Sequence, residues 1–401
     1  MNKRGIVVYC GLLMSLSAFS IDITLPFFSR IANSLGMPLT SMPLTVTVLL
    51  FFLGLMQMVF GPLSDRYGRR PVLAAGLCAF LLGAVVAGLA NNFTLLIIGR
   101  ALQGIGASAV FVISRSILRD LSTGADLARQ MSLATAIFSV GPIVAPLLGA
   151  SVILAGGEWR WVFAAMLVYA AVLLFMLLFY IPETNRHRNP QALLPTMLKA
   201  NLLTVVRHHQ SRWFMLVNAI TQISMILIIA TVAPLYDIAF GVSGIRFALY
   251  FSLHAIGIIL GQMLNRRLIA RYGPLLSAML TSLFMIAAGI LVVTVALTGL
   301  ASAWIFTALV TLFAFGYLSV AANSTAIALM PHPRITGFAA SLLGSFGMLV
   351  AASMGMLIGL FVQTSTLYWG IAITLIPLLS LSMMFVWYRA RGTALDTGQA
   401  A

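Results

Sequence analysis

Long apolar stretches alternate with short polar loops along the whole chain. An α-helix needs roughly 20 apolar residues to cross a bilayer, and each stretch reaches about that length. The pattern predicts twelve transmembrane helices, near residues 5–28, 42–63, 71–90, 94–114, 130–154, 159–181, 213–236, 243–264, 274–297, 301–330, 335–362 and 367–388. The first stretch follows two basic residues, as in a signal peptide, but it is too long, contains Asp22 and precedes further spans. We therefore expect it to remain as a helix.

One long polar segment, residues 182–212, divides these helices into two sets of six. Apolar side chains within the segment recur every four positions, namely Leu194, Leu198, Leu202 and Val206. That spacing is typical of a helix lying on the membrane surface, although a disordered basic linker fits the pattern equally well. We predict a six-helix bundle in residues 1–181, a cytoplasmic linker in 182–212, and a second six-helix bundle with a short cytoplasmic tail in 213–401.

A short internal repeat supports two related halves. Arg66-Tyr67-Gly68 opens the third predicted helix, and Arg271-Tyr272-Gly273 opens the ninth. The acid before the first copy is not repeated, because Ala270 stands where Asp65 would align. The predicted fold is an all-α membrane protein of two pseudo-symmetric six-helix bundles. Transporters built in this way bind their substrate near the midplane, where the halves meet.

Composition excludes a soluble domain, since 61% of the residues are hydrophobic, 8% are charged and the mean hydropathy is +1.06. The net charge of +15 resides mainly in loops, without the aromatic interleaving of a nucleic-acid interface, so no nucleic-acid partner is expected. Cys10 and Cys78 lie in predicted spans and imply no disulfide. No histidine, cysteine and acid cluster has metal-ligand spacing, and no metal or other cofactor is expected.

The distribution of Lys and Arg predicts the orientation. Only Arg30, Arg160 and Arg246 lie in loops on one side of the predicted spans, whereas the other loop Lys and Arg residues lie on the opposite side. Basic residues concentrate in cytoplasmic loops of membrane proteins. Both termini are therefore predicted to be cytoplasmic, which agrees with an even number of spans.

The loop GPLSDRYGRRP, residues 61–71, is the most charged short stretch between two spans. Four of its residues are charged, namely Asp65, Arg66, Arg69 and Arg70. Such a cluster must face water. We expect Gly61 and Pro62 to end one helix, Gly68 to permit a tight reversal and Pro71 to lie in the first turn of the next helix. The composition of this loop alone would fit equally well a loop whose only role is to set the orientation of the helices in the membrane.

The full pattern of this loop resembles the G-x-L-x-D-R-x-G-R-R loop between the second and third helices of the major facilitator superfamily. Asp22 and Pro26 are similar to the D-x-x-x-P element of twelve-helix drug/proton antiporters, and Arg100, Gln103 and Gly104 to their R-x-x-Q-G element. Gly141-Pro142 with Ala145-Pro146 resembles the G-P-x-x-A-P element of the bicyclomycin-resistance branch. The chain departs from that branch at Thr24, usually tyrosine, and at Ala150, commonly glycine.

The resemblance implies roles for these residues. The loop would be a conformational latch of Gly61, Asp65, Arg66, Gly68, Arg69, Arg70 and Asp120, in which Arg69 pairs with Asp120 and the network holds the outward-open state. The element of Gly141, Pro142 and Pro146 would bend its helix and seal the outward route, as is typical of antiporters. Two prolines remove two backbone hydrogen bonds, which independently predicts a bend.

Asp22 and Arg100 are charged residues within predicted spans. Each costs roughly 2.5–3.5 kcal/mol at a helix centre, so an intramembrane acid is a functional candidate. Their positions place both roughly 10 Å below the outer surface, at 1.5 Å per residue. The functional hypothesis is that Asp22 binds the coupling proton and that Arg100 influences its protonation. The alternative is a permanent ion pair that joins two helices.

Polar or aromatic side chains elsewhere in the spans are candidates for lining a substrate cavity, namely Gln57, Asn218, Gln222, His254, Tyr317 and Asn323. Asn218 and Gln222 share a helix face because they are four residues apart. A lone amide or imidazole in a helix bundle can equally bond a neighbouring backbone group.

The expected function is proton-coupled efflux of small amphiphilic drugs or metabolites by alternating access. We expect a monomer in a bacterial inner membrane, with protons as the coupling ion. A dedicated exporter or symporter of nucleosides, sugars or amino acids with the same fold is the alternative. The chain has no HExxH, GxSxG or phosphate-cradling motif, so an enzyme is not expected.

Overall fold

The computed structural model describes residues 3–185 and 188–396, so Arg186 and His187 of the predicted linker lie outside the described residues. Every regular element in these ranges is helical. The first half contains α1 (Lys3–Asp22), α2 (Phe28–Ser34), α3 (Pro43–Tyr67), α4 (Arg69–Gly88), α5 (Phe93–Leu121), α6 (Gly124–Leu154) and α7 (Arg160–Tyr180). A 3₁₀ turn, Leu25–Phe27, joins α1 to α2, and together they form one apolar span.

The second half contains α8 (Pro195–Arg207), α9 (His209–Phe240), α10 (Gly244–Leu297), α11 (Ala303–Leu329), α12 (Thr336–Val362) and α13 (Thr366–Arg391). The 54 residues of α10 would measure about 80 Å in a straight line, more than twice the thickness of the hydrocarbon core. Gly273 interrupts this helix with a non-helical φ of 78°, which separates two crossings. The 11 apolar helices of the described residues therefore supply twelve crossings, which confirms the predicted fold.

The chain separates into two compact units, residues 1–199 and 200–401. The boundary falls inside α8, within the predicted linker 182–212. The four-residue spacing of apolar side chains is therefore realised as a helix rather than as a disordered segment. The predicted domain limits at 181 and 213 remain a prediction.

Two helix ends differ from expectation. The prediction that Gly61 and Pro62 end a helix is wrong, because α3 continues through both residues to Tyr67. Proline removes only its own backbone donor, and a membrane helix tolerates that loss. In contrast, α1 ends at Asp22 rather than near residue 28, because the chain tightens into the 3₁₀ turn that contains Pro26.

Close packing holds α5 against both α3 and α4. A Cβ atom on Gly104 would lie 2.3 Å from the carbonyl oxygen of Leu49 on α3, and one on Gly106 would lie 2.5 Å from that of Gly76 on α4. Larger residues at these positions would force the helices apart. The small residues of α5 thus bring Arg100, on the same helix, against its neighbours.

Candidate functional site

Arg100 is the most deeply buried charged residue of the first unit, with 1% of its surface exposed. Its Nε donates to the carbonyl oxygen of Thr45 at 3.0 Å, and its Nη1 donates to that of Ser20 at 2.8 Å. Nη1 also donates to Gln103 Oε1 at 2.9 Å. One guanidinium therefore joins the end of α1, the start of α3 and its own helix α5.

The bond from Arg100 to Ser20 places a cation at the C-terminal end of α1. Ser20 lies in the last turn of α1, where unpaired carbonyl groups carry partial negative charge that favours a cation. The other terminal nitrogen of Arg100, Nη2, is buried and has no hydrogen-bond partner among the described residues. One strong donor at the end of α1 is thus left unused.

Asp22 is the last residue of α1 and is 4% exposed. Within residues 3–185 and 188–396, its carboxylate takes part in no ion pair and accepts no hydrogen bond. The permanent Asp22–Arg100 ion pair, which was the structural alternative, is therefore not formed. A buried carboxylate without a partner is costly when ionised, so the site is chemically poised to gain or lose a proton.

The predicted latch residues meet at the end of α3. Arg69 Nε donates to Asp120 Oδ2 at 2.9 Å, Nη2 approaches Oδ1 at 3.3 Å, and Nη1 donates to Ser64 Oγ at 2.7 Å. The same Nη1 also pairs with Asp65, which lies in α3 on the other side of the Gly68 turn. The expected contact of Arg69 with Asp120 is therefore present, whereas its role in holding one conformation stays a prediction.

Glu183 is a member of this cluster that the sequence analysis missed. Its two carboxylate oxygens accept the backbone N–H groups of Arg69 and Arg70, at 2.9 and 3.0 Å, and so cap the start of α4. Gly68 makes the approach possible, because its φ is 106° and a Cβ there would lie 2.5 Å from Glu183 Oε2. The sequence shows an acid just after α7, but it does not reveal the partners of this acid, because they lie more than a hundred residues away.

The segment after Glu183 completes the latch. Thr184 Oγ1 donates to Asp120 Oδ2 at 3.1 Å, and Asn185 Nδ2 donates to the carbonyl oxygens of Ser64 and Asp65 at 3.2 and 3.1 Å. Asp120 is thus shared between a cation and a hydroxyl. The network ties the ends of α3 and α5, the start of α4 and the segment after α7 together within the first unit.

The second copy of Arg-Tyr-Gly has the same backbone but not the same network. Gly273 has a φ of 78°, and Arg271 lies over the ring of Tyr272 at 5.2 Å, as Arg66 lies over Tyr67 at 5.3 Å. Arg271 forms no ion pair with a described residue. The latch network therefore belongs to the first unit alone.

We expect Asp65→Asn to loosen the latch only slightly. The Asp65 side chain is 49% exposed, and exposed ion pairs contribute about 0.2–1 kcal/mol, which corresponds to an effect of up to about fivefold. A cysteine that replaces buried Ser116, one turn before Asp120, should be labelled faster by that factor in a background without Cys10 and Cys78.

The matched control for this prediction is Asp126→Asn. Asp126 pairs with Lys3 at 2.6 Å and is similarly exposed, but it lies outside the latch. It should leave labelling at position 116 unchanged. Equal labelling in both variants would show that Asp65 acts only as a topology signal.

The third motif, in α6, lies against α1. α6 runs from Gly124 to Leu154 with both Pro142 and Pro146 inside it. A Cβ on Gly141 would lie 3.4 Å from that of Ala18, on the same helix as Asp22. The motif therefore touches the helix that carries the candidate proton site, and its role in sealing the outward route remains a prediction.

Three of the predicted cavity residues form hydrogen bonds to other residues of the second unit. Asn218 Nδ2 donates to the carbonyl oxygen of Ala321 and to Thr325 Oγ1, both at 2.9 Å, and its Oδ1 accepts from Gln222 Nε2 at 2.6 Å. Asn323 Nδ2 donates to Asn265 Oδ1 at 2.9 Å. These bonds join α9 and α10 to α11. Hydrogen bonding between helices is therefore enough to explain why amide side chains occur at these positions.

His254 and Gln57 are two further predicted cavity residues, and both are buried. His254 is 5% exposed, stacks on Tyr317 with ring centroids 6.1 Å apart, and has an Nδ1 atom without a partner among the described residues. Gln57, on α3 in the first unit, is also 5% exposed. His254 and Gln57 are the stronger candidates for contact with a substrate.

Two histidines of the second unit, His208 and His332, lie with their ring centroids 5.3 Å apart. His208 accepts from the backbone N–H of Ser211 and contacts Asp396 at 3.1 Å, while His332 contacts Ser211 Oγ at 2.8 Å. Burial and the neighbouring His208 lower the pKa of His332, and Asp396 opposes this effect. The contact of His208 with Asp396 ties the segment around Asp396 to the start of α9.

A family model, curated relatives and solved structures all match this chain over most of its length. The family model of the Major Facilitator Superfamily matches residues 10–355. The chain is 26% identical to the bicyclomycin resistance protein homolog of Haemophilus influenzae over 355 residues, which are 88% of each chain. It is also 26% identical to multidrug resistance protein D of Escherichia coli, over 92% of each. The crystal structure of a D-xylose-proton symporter superposes with a TM-score of 0.77 at 15% identity, over 99% of each chain.

Proposed function

The chain belongs to the major facilitator superfamily of membrane transporters, which are not enzymes, and we propose that it exports small amphiphilic molecules in exchange for protons. It is a multi-pass membrane protein that transports small molecules. Location in a bacterial inner membrane, with both termini cytoplasmic, is part of the proposal and rests on the distribution of basic loop residues.

The unpartnered carboxylate of Asp22 is the observation that carries the proposal. Within the described residues, Asp22 is a 4% exposed acid that accepts no hydrogen bond, and Arg100 Nη2 is a buried donor without a partner. Arg100 already holds Ser20, two residues before Asp22. Loss of the proton from Asp22 creates a charge that attracts Nη2, and proton binding removes that attraction.

The attraction between ionised Asp22 and Nη2 acts on three helices at once, because Arg100 already bonds α1, α3 and α5 together. Each protonation state then favours a different arrangement of α1 relative to α5. A transporter whose two arrangements differ in proton occupancy couples proton movement to alternating access.

Antiport rather than symport is favoured by the relatives. Two of them are named for resistance to bicyclomycin and to multiple drugs, which implies export from the cell. The similar symporter structure shares only the fold at 15% identity and says nothing of direction. A dedicated metabolite exporter or a symporter with this fold remains the second candidate.

The charges within the spans favour neutral or weakly anionic substrates. Besides Asp22 and Arg100 in the predicted spans, α5 carries Arg115, about 22 Å beyond Arg100 along the helix and stacked on Phe111 at 4.1 Å. Protonation of Asp22 leaves Arg100 unopposed, and Arg115 adds a second positive charge. A permanent cation is then repelled, whereas a neutral amphiphile is not.

We therefore expect export to respond to membrane voltage as well as to pH. Exchange of one proton for one neutral molecule moves one charge, worth about 2.3 kcal/mol per 100 mV. Proteoliposomes energised by a potassium-valinomycin potential alone should export a neutral chloramphenicol-like probe, as should vesicles driven by a pH step alone.

The sign of proton movement distinguishes the alternatives. Addition of the probe to de-energised vesicles should drive protons in the direction opposite to the probe. Co-directional proton movement would show a symporter. Insensitivity to the potential, or preference for a dication, would contradict the electrogenic exchange of a neutral substrate.

A further inference from the structure

A groove opens on the surface of the second unit between α10 and α13. Its volume is about 790 Å³, and its walls include Leu276, Leu280 and Leu283 on α10 and Leu381, Phe385 and Val386 on α13. Leu283 and Val386 are 52% and 54% exposed. On a membrane-spanning helix pair, such a surface faces lipid. The hydroxyl of Ser382 in the wall donates to the carbonyl oxygen of Leu378, so it is satisfied within its own helix.

The groove occupies one end of the helix pair. At the other end the helices touch, because a Cβ on Gly289 would lie 2.3 Å from Thr374 Oγ1 and one on Gly370 would lie 2.9 Å from Val292. From Leu283 back to Tyr272, α10 presents bulky side chains instead. The apolar channel therefore leads toward the helix ends near Tyr272 and Phe385.

Two arginines flank this end of the groove. The Arg271 guanidinium lies 5.2 Å from the ring centre of Tyr272, and that of Arg389 lies 5.3 Å from the ring centre of Phe385. Both rings line the groove. Neither arginine forms an ion pair with a described residue, and both are exposed. Positive charge is thus held beside an apolar channel by contacts with the channel's own wall.

We propose that this groove binds a phospholipid with an anionic headgroup. Its acyl chain lies against the leucines, and its phosphate lies between Arg271 and Arg389, whose guanidinium groups match phosphate oxygens. A small water-soluble anion could not cover the apolar wall, and a cationic amphiphile would be repelled by both arginines. A zwitterionic phospholipid can fill the channel, but its amine gains nothing from the flanking charges.

Native mass spectrometry of the purified protein tests this preference. Phosphatidylglycerol and phosphatidylethanolamine with identical acyl chains are added in competition, and the bound fraction of each is measured. The wild type should retain phosphatidylglycerol selectively. Arg271→Gln and Arg389→Gln should each weaken its binding about fivefold, and the double variant about thirtyfold, because a basic residue near the headgroup contributes about that factor.

The matched control is Arg391→Gln. Arg391 lies on the same helix and contacts an aromatic ring, Trp387 at 5.0 Å, but Trp387 does not line the groove. It should leave the selectivity unchanged. A loss as large as in Arg389→Gln would show a general attraction to a basic surface and would overturn the proposal.

A second variant tests the channel itself. Leu283→Trp adds bulk at an exposed wall position and should reduce binding of both lipids while the preference between them persists. Equal retention of the two lipids by the wild type, or undiminished phosphatidylglycerol binding in Leu283→Trp, would also overturn the proposal. The melting temperature of each variant is measured beside the wild type, so that altered folding is not mistaken for lost binding.

Discussion

Asp22→Asn should abolish uphill export while the protein still inserts into the membrane. The amide retains the size of the carboxyl group but cannot release a proton, so export is no longer coupled to the gradient. For a one-to-one exchange, a pH step of one unit concentrates a neutral substrate about tenfold in the wild type, whereas the variant should reach a ratio near one. Accumulation of a radiolabelled substrate in inverted vesicles measures this ratio.

Two further variants separate lost coupling from lost folding. Asp22→Glu should keep part of the uphill transport, since it retains an exchangeable proton on a longer side chain. Asp126→Asn, at an exposed acid paired with Lys3, should concentrate substrate like the wild type. Downhill exchange should persist in Asp22→Asn. If that variant still concentrates substrate, the proton site lies elsewhere, and Asp237 and Asp120 become the next candidates.

Replacement of Arg100 should have the largest effect on stability. Arg100→Ala removes a charged donor from the carbonyl oxygens of Ser20 and Thr45 and from Gln103. Hydrogen bonds to charged groups contribute about 1.5–3 kcal/mol each, and a buried acceptor left without its donor adds a desolvation cost. We expect a large fall in melting temperature and loss of transport.

Arg100→Lys distinguishes a structural role from a role in coupling. Lysine keeps the charge but cannot bridge three acceptors with a planar fork. If Arg100 acts on the protonation of Asp22, the lysine variant should transport with a shifted pH profile. An unchanged pH profile at reduced stability would assign Arg100 to structure alone. Arg160→Ala is the control, since Arg160 also donates to a carbonyl, that of Ala90 at 3.0 Å, but from a half-buried position and to one acceptor, so its loss should cost much less stability than that of Arg100.

The membrane architecture was predictable because hydrophobicity acts over whole spans. Stretches of about 20 apolar residues can cross a bilayer only as helices, so helix number and order follow without knowledge of any contact. The sequence repeat also located a break that no loop marks. α10 runs across Gly273 without a loop, but the second Arg-Tyr-Gly copy shows where one crossing ends and the next begins.

The partners of the site residues were less predictable. Arg100 bonds two backbone carbonyls, which every residue possesses, so no side-chain pattern announces them. Glu183 reaches α4 across more than a hundred residues of chain. Asp65 and Arg69, in contrast, are only four residues apart on either side of the Gly68 turn, so their nearness was accessible from the sequence. Local contacts were accessible to sequence reasoning, and distant ones required the fold.

The paired turns at Gly68 and Gly273 bear on the descent of the chain. Both have a φ that non-glycine residues rarely adopt, and both follow an arginine stacked on a tyrosine. If the halves arose by duplication of a gene for six helices, the turn was present in the ancestor. The difference between Asp65 and Ala270 arose after the copies separated. The presence of an acid in only one half is then more recent than the backbone turn, which the ancestral protein already had.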